Sequence, residues 1–469
     1  MRKLWQAASQ RPTWVGFAIA LLLFGLHLAT SKYFSLYYDS TSYWGYARDL
    51  EQKGHFSLYH LNTALRGYLY PLLNYPLTVL HRELLPDSQM ALVKAEGALV
   101  AALLFGLVGP QFWQTVTGQQ VGLGRRLAFI GLGFLFWRDY FNFLLADFPG
   151  ILFLLAGSTL VLRGQSVGRV FVGAMLLVGS LYIRPIYLLA LPCVLLWYGL
   201  RPGRGAARPG LRQWAAIVAG AVVVATPQLL INQHNFQSNN PLVLNQEPGS
   251  NYTVAGEDNL YLWHMNVGLR IQKYETNVGQ EYANAAVVYA DPTAPIVLAG
   301  RPNPEIGSLA EYAALVGQHP SEMTGLLCRH LFNGLDVLYA GPYLMHVYSP
   351  AIGLALLNYA VLFLALVVAV RQAPRLAPTD WLLVAALVLP TLASVPLVVE
   401  CRFFISLHLL VYGLVCFGLP HPARWRQRVA PAWRLPLLVG FTGFILVCVT
   451  LSANTRANLQ LPVMPAAAP

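Results

Sequence analysis

The chain has 469 residues, of which 56% are hydrophobic and only 11% are charged, whereas an average soluble domain carries about 25% charged residues. This composition excludes an ordinary soluble domain and indicates an integral membrane protein. The net charge of +11 does not indicate nucleic-acid binding, because the arginines occur in short clusters between apolar stretches, as membrane topology requires.

Apolar stretches near the length of a membrane-spanning helix recur along the chain, whereas the strands of a membrane barrel would alternate over about ten residues. We therefore predict an all-α polytopic membrane protein with about 11 transmembrane helices. The predicted spans lie near 12–31, 89–113, 126–141, 146–163, 170–183, 186–200, 213–232, 347–370, 381–398, 403–420 and 434–452. The two spans that flank Arg184 and Pro185 could instead form one broken helix, but the topology favours two.

Basic clusters set this topology, because Lys and Arg accumulate in the cytoplasmic loops of membrane proteins. The clusters are Arg2/Lys3/Arg11, Arg125/Arg126, Arg163/Arg169, Arg201/Arg204/Arg208/Arg212, Arg371/Arg375 and Arg424/Arg426/Arg428. All of them reach the cytoplasmic side only if residues 68–84, which contain two prolines, form an interfacial helix in the first outer loop. The N-terminus is then inside and the C-terminus outside.

The spans divide the chain into four predicted regions. Residues 1–232 form a membrane module whose first outer loop, 32–88, carries the chemistry, and residues 233–346 form a small extracytoplasmic segment. Residues 347–452 supply the C-terminal membrane helices, and residues 453–469 are expected to be a disordered tail. Within the extracytoplasmic segment, residues 308–335 have the composition of helices.

Charged residues outside the basic clusters collect at the predicted outer ends of the spans. They include Asp39, Arg48, Asp49, Arg66, Arg138, Asp139, Asp147, Arg184, Glu400 and Arg402. A charge near the hydrocarbon core costs about 2.5 to 3.5 kcal/mol, so such residues usually face a partner or a wet cavity. Carboxylates can act as general bases and arginines can hold a phosphate, so the pattern suggests a lipid-phosphate substrate at the outer leaflet.

Four segments resemble the GT-C polyprenyl-phosphate-sugar glycosyltransferases, which include protein O-mannosyltransferases and lipid A aminoarabinose transferases. The first outer loop, "DSTSYWGYARDLEQKGHFS" and then "LRGYLYPLL", has that family's Asp, aromatic helix, Gly turn, Arg and Tyr-Pro-led helix. "FLLADFPGILFLLAG", "YIRPIYLLALP" and "VVECRFFISLHLLVY" follow in the family's order. Phe403 replaces the family's usual Tyr in the last segment, and Ser40 replaces the second acid that often follows the first Asp.

The resemblance implies an inverting transfer of a sugar from a polyprenyl-phosphate donor to a glycan, lipid or protein acceptor. It implies a location in a bacterial inner (plasma) membrane, with the active site facing the periplasm or exterior. The site residues that it implies are Asp39 and Asp147 as catalytic, Arg66, Arg184 and Arg402 as binding the donor phosphate, and Tyr43, Arg138, Asp139 and Glu400 as orienting the substrate. No metal ligand and no cofactor is assigned, although a divalent metal stays open; Ser40 argues against a metal site.

Each assignment has a structural alternative. Asp39 and Asp147 could cap the helices that they begin, and Arg66 could be an interfacial arginine that extends toward water. Arg138 could pair with Asp139, Arg402 with Glu400, and Arg184 with another acid. Two other function classes also remain, a lipid-linked glycan polymerase or ligase, and a transporter or flippase. A transporter should show inverted repeats and ionisable residues near the middle of the membrane.

Overall fold

The computed structural model describes residues 10–164, 166–200, 209–246, 253–254, 257–299, 301, 305–419 and 431–460. The predictions for Arg2, Lys3, the cluster 201–208, the cluster 424–428 and residues 461–469 lie outside these ranges. The chain divides into two units. Unit 1 comprises residues 1–244 and 373–390, and unit 2 comprises residues 245–372 and 391–469.

Unit 1 is built from helices, and its only strands among the described residues form one short hairpin. In chain order its elements are α1 (Pro12–Ala29), α2 (Asp39–Asp49), β1 (Glu51–Gln52), β2 (His55–Phe56), α3 (Leu69–Glu83), α4 (Gln89–Thr117), α5 (Leu123–Trp137), α6 (Asp147–Arg163), α7 (Val167–Ile183), α8 (Ala190–Leu200) and α9 (Leu211–Phe236). Lys53 and Gly54 both have positive φ in the hairpin turn, where glycine is the residue that accepts this conformation without strain.

Unit 2 mixes helices with short strands. Its elements are β3 (Thr253–Val254), β4 (Glu257–Asp258), α10 (Leu260–Arg270), β5 (Ile271–Asn277), β6 (Ala286–Ala290), α11 (Ala294–Val297), α12 (Leu309–Gln318), α13 (Pro320–Leu335), β7 (Tyr343–Leu344), α14 (Ile352–Gln372), α16 (Cys401–Gly418) and α17 (Pro431–Ala457). Helix α15 (Asp380–Ser394) begins in unit 1 and ends in unit 2. Strand β5 pairs antiparallel with β6 and parallel with β7.

The prediction of a helical membrane protein is confirmed in that the described chain is mostly helical, although unit 2 also contains short strands, but the prediction of 11 spans is wrong. Six described helices, α1, α4, α9, α14, α16 and α17, are long and apolar enough to cross a membrane, which makes this an integral membrane protein. The remaining predicted spans also form helices, but α5, α6, α7, α8 and α15 have at most 17 residues. A helix of that length measures about 26 Å, which is shorter than a hydrocarbon core of about 30 Å.

The predicted break at Arg184 and Pro185 separates two helices. Helix α7 ends at Ile183, Arg184 has extended backbone angles, and Pro185 begins a short 3-10 turn that leads into α8. Proline fixes its own φ and disfavours helical angles at the preceding residue, so Arg184 cannot continue α7. The arginine is therefore held at a bend between helices.

Two further predictions concern unit 2. Residues 309–318 and 320–335 are helical, which confirms the helices predicted within 308–335. The disordered tail predicted from residue 453 is wrong for 453–460, because α17 continues to Ala457 and the next residues hydrogen-bond to β6. The amide of Ala290 donates to the carbonyl of Asn458, and the amide of Gln460 donates to that of Val288, both at 2.9 Å.

Candidate active site in unit 1

Asp39 is the first residue of α2 and follows a strained residue. Tyr38, the N-cap, has φ of 44° and ψ of −116°, an unusual conformation for a residue with a side chain. Such strain persists only where surrounding structure enforces it, and it is frequent at functional sites. Because Tyr38 holds the N-cap position, the alternative interpretation of Asp39 as the N-cap is wrong. Its half-buried carboxylate is nevertheless in the first turn, where the helix dipole favours a negative charge.

Ser40 fixes the start of α2 to the segment that precedes α6. Its buried hydroxyl oxygen accepts a hydrogen bond from the backbone amide of Leu144 at 2.8 Å. Three residues further on, Asp147 begins α6. Ser40 thus links the two helix starts that carry Asp39 and Asp147.

Asp147 is deeply buried and forms an ion pair with Arg184. Arg184 Nε lies 2.9 Å from Asp147 Oδ1, and the exposed fractions of the two side chains are 25% and 2%. The Tyr187 hydroxyl donates to the backbone carbonyl of Asp147 at 3.2 Å. Gly150 leaves the space for this arrangement, because a Cβ at that position would lie 3.1 Å from Arg184 Cβ. The alternative of an ion pair at Arg184 is confirmed.

The backbone of the next residue, Gly67, positions Arg66 near the ion pair between Asp147 and Arg184. A Cβ at Gly67 would collide with the carbonyl oxygen of Tyr182, two residues before Arg184. The backbone amide of Tyr68 donates to Gln228 Oε1 at 3.1 Å, and this hydrogen bond also holds the segment that carries Arg66 in place. The half-buried Arg66 is therefore held next to the end of α7.

Tyr43 lies near the charged residues described above. We call Asp39, Arg66, Asp147 and Arg184 the four-charge cluster. Burial raises the pKa of the Tyr43 hydroxyl above its ordinary value, and all four members act on that pKa, the arginines lowering it and the carboxylates raising it. The Tyr43 ring packs edge-on against Tyr70 at 4.9 Å between centroids. Four residues that are far apart in the sequence, two positive and two negative, thus lie within electrostatic reach of one buried phenol.

An apolar layer supports the four-charge cluster. It consists of Tyr43, Trp44, Tyr70, Val93, Leu144, Ala146 and Ile183, all buried. Ala146 directly precedes Asp147 and Ile183 directly precedes Arg184, so packing of these neighbours positions the ion pair. Side chains that are locked by packing hold polar groups in a fixed geometry, which a catalytic site needs.

Arg138 and Asp139 do not pair mainly with each other, contrary to the structural alternative considered for them. Asp139 Oδ1 lies 2.7 Å from His27 Nε2, whereas Arg138 Nε lies 4.0 Å from Asp139 Oδ2, at the limit of an ion pair. Arg138 Nη1 instead donates to the carbonyl of Leu135 at 2.9 Å. His27 escaped the sequence analysis, although an ionisable residue within an apolar span usually has a partner or a function.

Glu400 and Arg402 form their own ion pair in unit 2. Arg402 donates from Nε to Glu400 Oε2 at 2.7 Å and from Nη2 to Oε1 at 3.2 Å. The predicted salt bridge is confirmed, and two parallel hydrogen bonds of this kind satisfy both charges well. The four-charge cluster belongs to unit 1, whereas Arg402 belongs to unit 2.

Two further ionisable residues, Glu96 and Lys273, were not predicted from the sequence. Glu96 of α4 borders a cavity of about 10 Å³ together with Tyr70, and its buried Oε2 accepts no hydrogen bond from the described residues. In unit 2, Lys273 is fully buried and donates to the backbone carbonyl of Asp336 at 3.0 Å. The cavity beside Glu96 holds about one water molecule, so it is too small for a sugar.

Substituting Gly67 by alanine should destabilise unit 1 strongly. The new Cβ would meet backbone atoms of Tyr182, which cannot rotate away, so the segment carrying Arg66 must shift. We expect a loss of about 1 to 3 kcal/mol in the free energy of unfolding, as for overpacked cores. The matched control is Gly45→Ala in α2, where nothing lies within 4 Å. That change should be neutral or stabilising by about 0.5 to 1 kcal/mol.

Thermal unfolding of both variants in the same detergent would measure the difference. Equal unfolding temperatures for the two variants would contradict the close approach of Gly67 to Tyr182.

Among the residues that the structure describes, no group of three or more His, Cys, Asp or Glu side chains could hold a metal ion. The chain shows no match to a protein-family model, to a curated protein or to a solved structure.

Proposed function

We propose that the protein is an inverting membrane glycosyltransferase that transfers a sugar from a polyprenyl-phosphate donor to an extracytoplasmic acceptor. The observation that carries this proposal is the geometry of the four-charge cluster, in which Arg184 pairs with Asp147, Ser40 joins the two helix starts, and Gly67 packs closely on Tyr182. It supplies a half-buried carboxylate at a helix start, two guanidinium groups and a second carboxylate that orients one of them. These are the groups that a displacement at a sugar phosphate needs.

In the proposed reaction, Asp39 accepts the proton of an acceptor hydroxyl or amine while that group attacks the anomeric carbon. The bond between this carbon and the phosphate oxygen breaks on the opposite face, so one displacement inverts the configuration. Polyprenyl phosphate leaves with the bonding electrons, and arginines stabilise its developing charge. A positioned general base contributes about 100- to 10,000-fold to the rate of such a step.

The three arginines predicted to bind the donor phosphate are not equivalent in this mechanism. Arg66 and Arg184 share the neighbourhood of Asp39, so we assign donor phosphate binding to them. Asp147 holds Arg184 through Nε and fixes the plane of its guanidinium group. Arg402, which the resemblance also implies as a phosphate ligand, forms its ion pair with Glu400 in unit 2, so the proposed mechanism does not use it.

The proposed location is the outer leaflet of a bacterial inner membrane, with the four-charge cluster facing the periplasm. The positive-inside rule supports this orientation, because the basic clusters then lie on the opposite side. Helix α3, Leu69–Glu83, would lie in the interface, since it is not among the apolar helices suited to cross a membrane. The lipid anchor of the donor would bring its phosphate to the cluster by diffusion in the plane of the membrane.

Proteoliposomes that contain the purified protein and a radiolabelled short-chain polyprenyl-phosphate hexose would test the proposal, with a cell-envelope extract as the source of acceptor. We expect label to enter the acceptor fraction one sugar at a time, with release of polyprenyl phosphate and inversion at the anomeric carbon. A ladder of repeating units would favour a glycan polymerase. Passage of labelled lipid across the bilayer without covalent transfer would favour a flippase.

Substituting Arg66 by alanine should weaken binding of the polyprenyl-phosphate donor by about 10- to 100-fold, because a hydrogen bond to a charged group contributes about 1.5 to 3 kcal/mol. Arg66→Lys should recover part of this loss, since it keeps the charge but not the planar fork. The control is Arg48→Ala in the same loop, an exposed arginine paired with Asp49. Equal donor affinity for Arg66→Ala and Arg48→Ala in a fluorescence binding assay would remove Arg66 from the phosphate site.

A further inference from the structure

Unit 2 contains a cavity that the proposed reaction does not use. Its volume is about 440 Å³, within the range of about 300 to 1,000 Å³ that is typical of small-molecule sites. It lies between the last turns of α17, the helix α13 and the start of β5. The side chains that bound it include Gln272, Arg329, Phe332, Leu451, Asn454 and Asn458.

The wall that α17 contributes changes from apolar to polar along the helix. Leu451 and Asn454 of α17 border the cavity and lie about 4.5 Å apart along the helix axis, and Asn458 follows one residue past the end of α17. On the topology proposed above, α17 leaves the membrane at this end. The apolar end of the cavity therefore lies nearer the membrane, and the amide groups lie nearer the water.

The floor of the cavity is held rigidly by internal hydrogen bonds. Gln272 Nε2 donates to the carbonyl of Ala290 at 2.9 Å, and the Thr455 hydroxyl donates to Asn333 Oδ1 at 2.9 Å. The ring of Phe332 is supported by Tyr359, with 6.4 Å between ring centroids. A preformed aromatic face and fixed amides reduce the entropy that a bound ligand must offset.

The electrostatics of the cavity disfavour an anion. Arg329 donates from Nε to Asp291 Oδ2 at 2.7 Å and from Nη2 to Oδ1 at 2.8 Å. The Asp291 side chain is fully buried, and the Arg329 side chain is 30% exposed. The aspartate therefore neutralises the arginine, while Nη1 donates to no acceptor among the described residues. A neutral ligand with hydroxyl groups suits such a site better than a phosphate.

Asn454 adds the second available polar group. Its side-chain amide makes no hydrogen bond within the described residues, although its backbone carbonyl accepts one from Asn458 Nδ2 at 3.1 Å. An amide offers both donors and an acceptor, which match the hydroxyl groups of a sugar. Phe332 offers an apolar surface on which the C–H face of a sugar ring can pack.

We propose that this cavity binds a neutral sugar residue, either of a free glycan or of a glycolipid headgroup. The proposal concerns a second site in the chain, and its binding does not require the chemistry of Asp39. If the proposed function also holds, the cavity would retain the acceptor glycan near the membrane surface.

Saturation-transfer NMR on the full-length protein in nanodiscs would test the binding. The probes are mannobiose, cellobiose and a disaccharide of similar size that contains glucuronic acid, each in free form and on an alkyl chain. We expect a neutral disaccharide to bind and Asn454→Leu to weaken this binding by about tenfold, the effect of about 1.4 kcal/mol. Arg329→Lys should weaken it as well, because lysine keeps the charge beside Asp291 but lacks Nη1.

The control Asn284→Leu changes an exposed asparagine elsewhere in unit 2 and should leave binding unchanged. Preference for the free disaccharide would identify a glycan as the ligand, and preference for the alkyl form would identify a glycolipid. Absence of binding by either neutral disaccharide, stronger binding of the acidic one, or equal binding by Asn454→Leu and Asn284→Leu would each overturn the proposal. Asp39→Asn should retain sugar binding, so failure of the second site and failure of the transferase proposal give different results.

Discussion

Replacing Asp39 with asparagine is expected to lower the rate of sugar transfer by about 100- to 10,000-fold, the usual contribution of a positioned general base. Asparagine has nearly the same shape as aspartate but cannot accept a proton at neutral pH. The change occurs in the first turn of α2, where loss of a negative charge costs only about 0.3 to 1 kcal/mol. We therefore expect the variant to fold and to bind the donor like the unaltered protein.

The matched control is Asp49→Asn at the other end of α2. Asp49 is half exposed, and its carboxylate lies 3.2 Å from Arg48 Nη2 in a surface ion pair. Such pairs contribute little to stability, and Asp49 is not among the charges that act on Tyr43. Initial rates at saturating donor, measured together with thermal unfolding, would separate catalysis from folding. Near-normal transfer by Asp39→Asn would assign the proton to another group and refute the mechanism.

The sequence predicted helices better than it predicted spans. Each apolar stretch forms a helix, because backbone hydrogen bonds inside a membrane must be satisfied within the segment. The lengths could not be read from hydropathy, because apolar residues continue past the helix ends. After α5, for example, Arg138–Asn142 forms a 3-10 turn, and the apolar residues that follow it precede α6 without being helical.

The strands of unit 2 were missed for a different reason. In β5, "IQKYETN", polar and charged residues are buried, so the alternation that indicates a half-exposed strand is absent. Lys273 is accommodated there by the backbone carbonyl of Asp336, which is distant in the sequence, and by Glu275 of the same strand at 3.3 Å. The pairing of Leu459 with Tyr289 is equally long-range, which explains why the tail was expected to be disordered.

All members of the four-charge cluster were named from the sequence, because each lies at the end of an apolar stretch or in a loop. Their convergence could not be derived, since it depends on Ser40 and Gly67, whose roles exist only in the folded chain. His27 and Glu96 could not be assigned from the sequence, because they lie inside apolar segments whose hydropathy predicts a span but no role for a single ionisable residue. Such residues are rare in membrane helices, and their rarity is the signal that would have found them.

Removing one partner of the ion pair between Asp147 and Arg184 is expected to destabilise unit 1 by about 2 to 4 kcal/mol, somewhat less than the 3 to 5 kcal/mol typical of fully buried pairs. The two partners should not be equivalent, because Asp147 is 2% exposed and Arg184 is 25% exposed. Arg184→Met leaves a buried carboxylate without its ion-pair partner. Asp147→Asn leaves an arginine that can reach water, so it should cost less.

The double variant Asp147→Asn, Arg184→Met should recover most of the lost stability, since replacement of a buried pair by neutral groups is often close to neutral. Unfolding of the two single variants and the double variant would give the coupling energy of the pair. The exposed pair Arg48 and Asp49 is the reference, and its coupling energy should be about 0.2 to 1 kcal/mol. A coupling energy no larger than that of the reference pair would contradict the buried ion pair.

The same variants separate structural and chemical roles of the pair. If Asp147 and Arg184 only stabilise unit 1, the double variant should regain transfer activity together with stability. If Arg184 also holds the leaving phosphate, the double variant should be stable and still inactive, because methionine cannot donate hydrogen bonds to a phosphate. We expect the second result, since Arg184 lies within electrostatic reach of the same buried phenol as Asp39 and Arg66.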